Sequence, residues 1–190
     1  MFSRRLRHSL PCALLACFAL AICAGGTASA QAPNTGAAQF VPPPPPPKKA
    51  KIVNGRAIAP AGAPLRVRQA MSAANRIVRK PYVWGGGHGA FSSTLARGYD
   101  CSGAVSHALY GGRFLRTPMA SGALMSWARK GPGRWITVYA HAGHAYMVIA
   151  GLRFDTSMHD PNAPGPRTGP RWSKQLRRSS AFVARHPGGY

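Results

Sequence analysis

The stretch Asp100-Cys101-Ser102-Gly103-Ala104-Val105-Ser106-His107-Ala108-Leu109 sets a thiol and one of only three acids at the start of an apolar helix. Ala104, Val105, Ala108 and Leu109 recur at helical spacing, so a helix beginning near Ser102 turns its positive dipole end toward the Cys101 sulfur. The other cysteines, Cys12, Cys17 and Cys23, fall in an N-terminal apolar stretch that reads as a secretory leader. An exported chain therefore keeps a single thiol, with no second cysteine to pair with. Thiolate is the nucleophilic form, and a helix N-terminus or a nearby imidazolium favours it. Amides at the same helix end can receive an oxyanion. Asp100 opposes thiolate formation if it faces the sulfur, and is expected to turn toward substrate or backbone. The plain alternative is a buried structural thiol.

Upstream, Leu65, Ala70, Met71, Ala74, Ile77 and Val78 recur at helical spacing among Arg66, Arg68, Arg76 and Arg79, and Pro81 ends that helix. Residues 85–89 are four glycines around His88 and read as a flexible loop. Downstream, Thr117 as N-cap, Pro118 at the first helical position and Gly131 after Lys130 predict a third helix. Residues 135–140, 144–150, 153–157 and 181–185 read as strands, divided by turns at Ala142-Gly143 and Gly151-Leu152. The expected fold class is α+β, with N-terminal helices packed on an antiparallel β meander around one core.

His144 opens a strand and can project from its edge. A turn at Gly151-Leu152 pairs Ala150 with Arg153, which sets Val148 opposite Asp155 and His144 opposite His159. Period-2 alternation puts Asp155 and His159 on the face of His144, and either can orient the imidazole. Ideal pairing favours His159, whereas a bulge or strong twist brings Asp155 nearer. His88, His107 and His141 read as structural or surface groups, with His88 in the glycine loop able to touch substrate. Cys101, His144 and His159 lack zinc-site spacing and the acids are too few for calcium, so neither metal nor cofactor is expected.

Residues 1–30 carry Arg4, Arg5 and Arg7, then an uncharged apolar core, then Ala28-Ser29-Ala30 as a cleavage site; they read as a signal peptide. The core is too short for a membrane span. Residues 31–60 read as a disordered, Pro-rich basic linker, with the unbroken run 42–47 forming a polyproline II rod. Residues 61–190 form the folded domain. The whole chain has a formal charge of +22, and removal of the leader leaves 22 Lys and Arg against three acids, or +19. Such a field favours anionic envelope polymers or acidic lipid headgroups, and export argues against nucleic acid as the partner. A secreted or periplasmic monomer in peripheral contact with the cell envelope is expected.

Pro81-Tyr82-Val83-Trp84-Gly85-Gly86, then Asp100-Cys101-Ser102-Gly103, then Gly143-His144 opening an apolar strand, resemble the NlpC-type cell-wall peptidases over roughly residues 65–186. The resemblance implies a compact papain-like domain that cuts peptidoglycan stem peptides, usually at a γ-D-glutamyl to diamino-acid bond. It implies Cys101 as nucleophile, His144 as general base and Asp155 as third residue, with His159 the alternative. Tyr82, Asp100 and Ser102 match positions that line the substrate pocket and grip the stem-peptide amine. The chain departs from the pattern at Tyr146, where a glycine is commoner, and at Asp155, where His or Asn is more usual. Two rival functions remain at this point: a catalytically silent, basic envelope-binding module, and an exported amide hydrolase with another substrate.

Overall fold

The computed structural model of the protein describes residues 48–158 and 168–190; the expected leader, the proline run and His159 lie outside them. The described chain opens with a hairpin of β1 (Lys51–Val53) and β2 (Arg56–Ile58). Its two-residue turn is Asn54-Gly55, with φ of 48° and 74°, the mirror-image geometry that Asn-Gly adopts readily. The expected linker therefore gives way to folded structure before residue 60. The composition around the proline run hid a short hairpin signal. Ala50 N–H donates to the Ala150 carbonyl at 2.9 Å, tying the hairpin's entry to the main sheet.

Helix α1 (Leu65–Ile77) buries Val67, Ala70, Met71, Ala74 and Ile77. Its Asn75 amide joins three elements. Oδ1 accepts the Ala57 N–H at 2.9 Å and the Trp172 indole N–H at 2.8 Å, and Nδ2 donates to the Ala57 carbonyl at 2.8 Å. Helix α2 (Cys101–Gly111) is buried at every position from Cys101 to Leu109, because α1 covers one side and the sheet another. Small residues permit that double burial: a Cβ on Gly111 would collide with Ala73 of α1.

The third expected helix is mostly absent. Between Thr117 and Gly131 the chain forms one turn, α3 (Ser121–Leu124), and then an extended pair, β3 (Arg129–Lys130). Ser106 Oγ accepts the Met119 N–H at 3.0 Å and donates to the Met119 carbonyl at 3.2 Å, engaging backbone groups a helix would have used. After α3 the bonds tighten to three-residue spacing, and Ala128 adopts φ of 48°, which ends any helical path.

Among the described residues a six-stranded antiparallel sheet runs in the order β3, β8, β4, β5, β6, β7. Its strands are β4 (Ile136–His141), β5 (His144–Ile149), β6 (Leu152–Asp155), β7 (Arg171–Ser173) and β8 (Val183–His186). Strands β4 to β7 are a meander, and β8 returns to pair with β4 and β3. The fold is α+β, with helices packed on an antiparallel sheet. The turn between β5 and β6 is Ala150-Gly151, with φ of 47° and 80°, so Ile149 pairs with Leu152 and Met147 with Phe154. The register differs by two residues from the expected pairing of Ala150 with Arg153. An even shift keeps every side chain on its face. One step beyond the Met147–Phe154 pair, Asp155 falls across from Tyr146 and diagonal to His144, close enough without a bulge.

Asn75→Ala removes three hydrogen bonds that join α1, the hairpin and β7, and is expected to lower the unfolding free energy by about 2–3 kcal/mol. Urea titration checks it; a loss under about 0.5 kcal/mol would deny the side chain its joining role.

Candidate active site

Asp100 caps α2. Its Oδ1 accepts the Gly103 N–H at 2.7 Å, and Oδ2 accepts the Gly85 N–H at 3.2 Å. Its backbone N–H donates to the Gly86 carbonyl at 3.1 Å. A side chain at Gly103 would strike the Gly86 carbonyl across this seam, and one at Gly86 would strike the Gly98 and Val83 backbone, which explains glycine at both. The glycine loop is thus pinned to the helix start and holds Cys101 as the buried first residue of α2. His88, which the sequence reading set aside as structural or surface, completes the clamp. Its Nε2 lies 3.0 Å from both Asp100 oxygens and 3.2 Å from Ser102 Oγ. Ser102 Oγ also donates to Asp100 Oδ1 at 3.2 Å.

His144 is the first residue of β5, and its Nε2 stands 3.0 Å from Asp155 Oδ1 at the end of β6. The Asp155 side chain has no exposed surface. Its Oδ1 also accepts the Ser157 N–H at 2.9 Å. Its Oδ2 faces Arg177 Nη1 at 3.3 Å and Arg153 Nε at 3.7 Å. Arg177 further donates to Ser157 Oγ at 3.2 Å and lies over the rings of Tyr146 and Phe182. Nothing in the spacing of Arg177 announced this role, because its partner lies 22 residues away, on the far side of β7.

The His144 ring and the Ala145 N–H lie near enough to the Cys101 sulfur to favour its thiolate. Burial, and to a lesser degree the Asp100 charge, push the thiol pKa up, but hydrogen bonding from the His144 ring and the Ala145 N–H, with the imidazolium charge, outweighs them and leaves it below the ordinary value. Burial likewise disfavours imidazolium at His144, yet the hydrogen bonds to Asp155 and Cys101 and their charges raise its pKa to about 9. At Asp155 burial works upward, and the bonds to His144 and Ser157 bring the carboxyl down to about 2. The three shifts all favour the same arrangement, a thiolate–imidazolium pair on a buried carboxylate. With Nε2 given to Asp155, Nδ1 is the ring nitrogen left for the sulfur. Such a set can attack a carbonyl, hand a proton to a leaving group and hold the base in one tautomer.

Tyr82 is exposed, and its phenol is raised by partial burial and then by the Cys101 and Asp100 charges, so it faces the same space. Trp84, two residues on, is 86% exposed and is no core aromatic. His141 accepts the Gly143 N–H at 3.0 Å and packs on Phe182. His107 is buried behind the glycine loop, where burial and then Arg76 drive its pKa down to about 4. Among the described residues no cluster of three His, Cys, Asp or Glu side chains could hold a metal ion, and no helix is long and apolar enough to cross a membrane.

The pH dependence of Cys101 alkylation by iodoacetamide reports its thiolate fraction. The lowered pKa means that reaction persists below the ordinary thiol range as pH falls. His144→Ala leaves burial dominant and should move the midpoint upward; equal midpoints in both proteins would refute the pairing.

No family model matches the chain, and no curated protein matches it. Solved structures do. A mutated form of the Resuscitation Promoting Factor Interacting protein RipA is 18% identical, with a TM-score of 0.46, over 73% of this chain and 69% of that one. A hypothetical invasion protein of Mycobacterium tuberculosis is 19% identical, with a TM-score of 0.45, over 73% and 69%. RipD from Mycobacterium tuberculosis, described as a non-catalytic NlpC/p60 domain protein adapted to peptidoglycan binding, is 17% identical, with a TM-score of 0.44, over 64% of this chain and 98% of that one. The chain is similar to these proteins in fold, and the chemistry of its site rests on its own residues.

Proposed function

We propose that the protein is a cysteine endopeptidase of the cell envelope that hydrolyses peptidoglycan stem peptides. The observation that carries the reading is the continuous line from Cys101 through His144 to the fully buried Asp155. The Cys101 thiolate adds to an amide carbonyl, and first-turn amides of α2 stabilise the oxyanion. The His144 imidazolium protonates the departing amine as the C–N bond breaks, leaving a thioester. His144 then takes a proton from water as it attacks, and the acid and free thiolate are released. Asp155 orients the imidazole throughout, in the place where His159 was the alternative.

The bond proposed is a γ-D-glutamyl to diamino-acid linkage, and in a stem peptide released from its glycan the fragment N-terminal to the cut carries a free ammonium. Asp100 is the buried acid beside Cys101, and with Ser102 and Tyr82 it supplies a carboxylate, a hydroxyl and a phenol for that ammonium. The strong positive charge of the chain supports residence on an anionic envelope.

Digestion of purified sacculi, and of free stem tripeptide and tetrapeptide, by the parent and by Cys101→Ala, read by liquid chromatography with mass spectrometry, tests the reading. New muropeptides from the parent alone are expected, and their masses name the bond. No fragments from either protein, with both pelleting with the wall, would replace it by the silent binding module. Asp155→Asn is expected to retain binding and lose about 10²–10⁴-fold in kcat, since it disturbs the imidazole tautomer and its charge partner.

The pH profile follows from the same pair. Activity should hold below the ordinary thiol range, because the Cys101 pKa is lowered, and fall as His144 loses its proton near 9. Activity still rising above that pH would mean that a neutral imidazole suffices.

A further inference from the structure

We propose that the N-terminal hairpin is a docking face for an acidic lipid bilayer. In β1 and β2, Ile52 and Ala57 pair on the inner face, so Lys51 opposite Ile58 and Val53 opposite Arg56 make up the outer one. The two apolar members stay in water: Val53 is 51% exposed and Ile58 52%. A solvated hairpin face needs polar side chains only, and here apolar and cationic residues alternate across the strands. Beside this face lies a notch of about 320 Å³ bounded by Lys48, Lys49 and Lys51, with Ile58, Ala59 and Pro60 along its apolar side.

The occupant must answer both features. Among the described residues the ion pairs of the acids go to His88, His144, Arg153 and Arg177, and none reaches Lys48, Lys49, Lys51 or Arg56. Residues 1–47 contain no acid, so that segment cannot neutralise the four cations. A second copy of a chain with formal charge +22 would repel the first. A glycan or phosphate polymer would meet the cations and leave Val53 and Ile58 wet. An acidic bilayer offers phosphate headgroups to the cations and acyl boundary to the two side chains, as interfacial segments require. Cations flanking a notch with an apolar side also suit a headgroup sitting above its first methylenes.

The test uses the full chain with vesicles of phosphatidylglycerol and phosphatidylcholine, and with phosphatidylcholine alone. Hydrogen–deuterium exchange should show new protection over residues 48–61 with acidic vesicles and none with neutral ones. Locating protection by residue separates this face from the N-terminal apolar stretch and from diffuse charge attraction. At about 1 M salt, where screening reaches roughly 3 Å, part of the binding should survive. The double variant Val53→Ser, Ile58→Ser keeps every charge and should lose that salt-resistant part by about tenfold. Lys51→Gln with Arg56→Gln should instead weaken binding at low salt. Co-sedimentation without protection of 48–61, or a serine variant that binds like the parent at high salt, overturns the proposal. Unchanged unfolding midpoints show that each variant is folded.

Discussion

A carboxylate with no contact to water sits at the end of β6, and the architecture around it is arranged to make that tolerable. Isolating an ionised Asp155 would cost several kcal/mol, enough to protonate it or to unfold a domain of this size. Four groups prevent this: the His144 ring and Ser157 N–H on Oδ1, with the Arg177 and Arg153 guanidinium groups on the side of Oδ2. Each comes from a different place in the chain. The carboxylate therefore fixes the starts of β5 and of the segment after β6, and calls in an arginine from beyond β7. Arg177 is itself held over Tyr146 and Phe182, so the aromatic residues of β5 and the approach to β8 join the same assembly.

The helix end that carries Cys101 is set by a second carboxylate. Asp100 combines an N-cap bond to Gly103 with a bond to Gly85, and the Gly86 carbonyl accepts the Asp100 N–H. These contacts join the glycine loop to α2 so closely that only glycine fits at the seam. Two of the three acids in the chain thus build the site. One positions the nucleophile's helix, at the cost of a charge that opposes the thiolate, and the other positions the base.

The parts legible in the sequence were those governed by local periodicity. Ala104, Val105, Ala108 and Leu109 marked α2, and β-rich runs divided by turns marked β4, β5 and β6. The Cys101–His144–Asp155 line was readable because thiol and ring fell at element boundaries and alternation set the acid on the face of the ring. The misread parts turned on non-local partners or on competing local signals. Thr117, Pro118 and Gly131 are sound helix punctuation, but Ser106 captures the Met119 backbone and extends the segment. Asn54-Gly55 is a strong hairpin signal that the neighbouring prolines and lysines outweighed. At Ala150-Gly151 both residues adopt the left-handed region, and an alanine gives little warning of that. Because that error was an even number of residues, it altered distance along the strand and left the faces intact. Asp155 was therefore found on the correct face, although the expected pairing favoured His159.

The sign of the His144 shift shows which electrostatics govern this site. A chain carrying 25 Lys and Arg should disfavour one more positive charge, and burial disfavours it further. The imidazolium is nonetheless stabilised, with its pKa near 9. Distance decides. Solvated cations are attenuated within about 8–10 Å at ordinary ionic strength, whereas Asp155 lies 3.0 Å from Nε2 in a dry environment that screens little. Arg153 and Arg177 stand near enough to compete, but they address Oδ2, leaving Oδ1 to the ring. The thiolate–imidazolium pair is thus insulated from the net charge of the molecule. That insulation separates two demands on one chain: surface cations can gather on the β1–β2 face and answer an anionic partner without retuning the nucleophile. A protein that drew its nucleophile's activation from its overall field could not carry such a face without altering its chemistry.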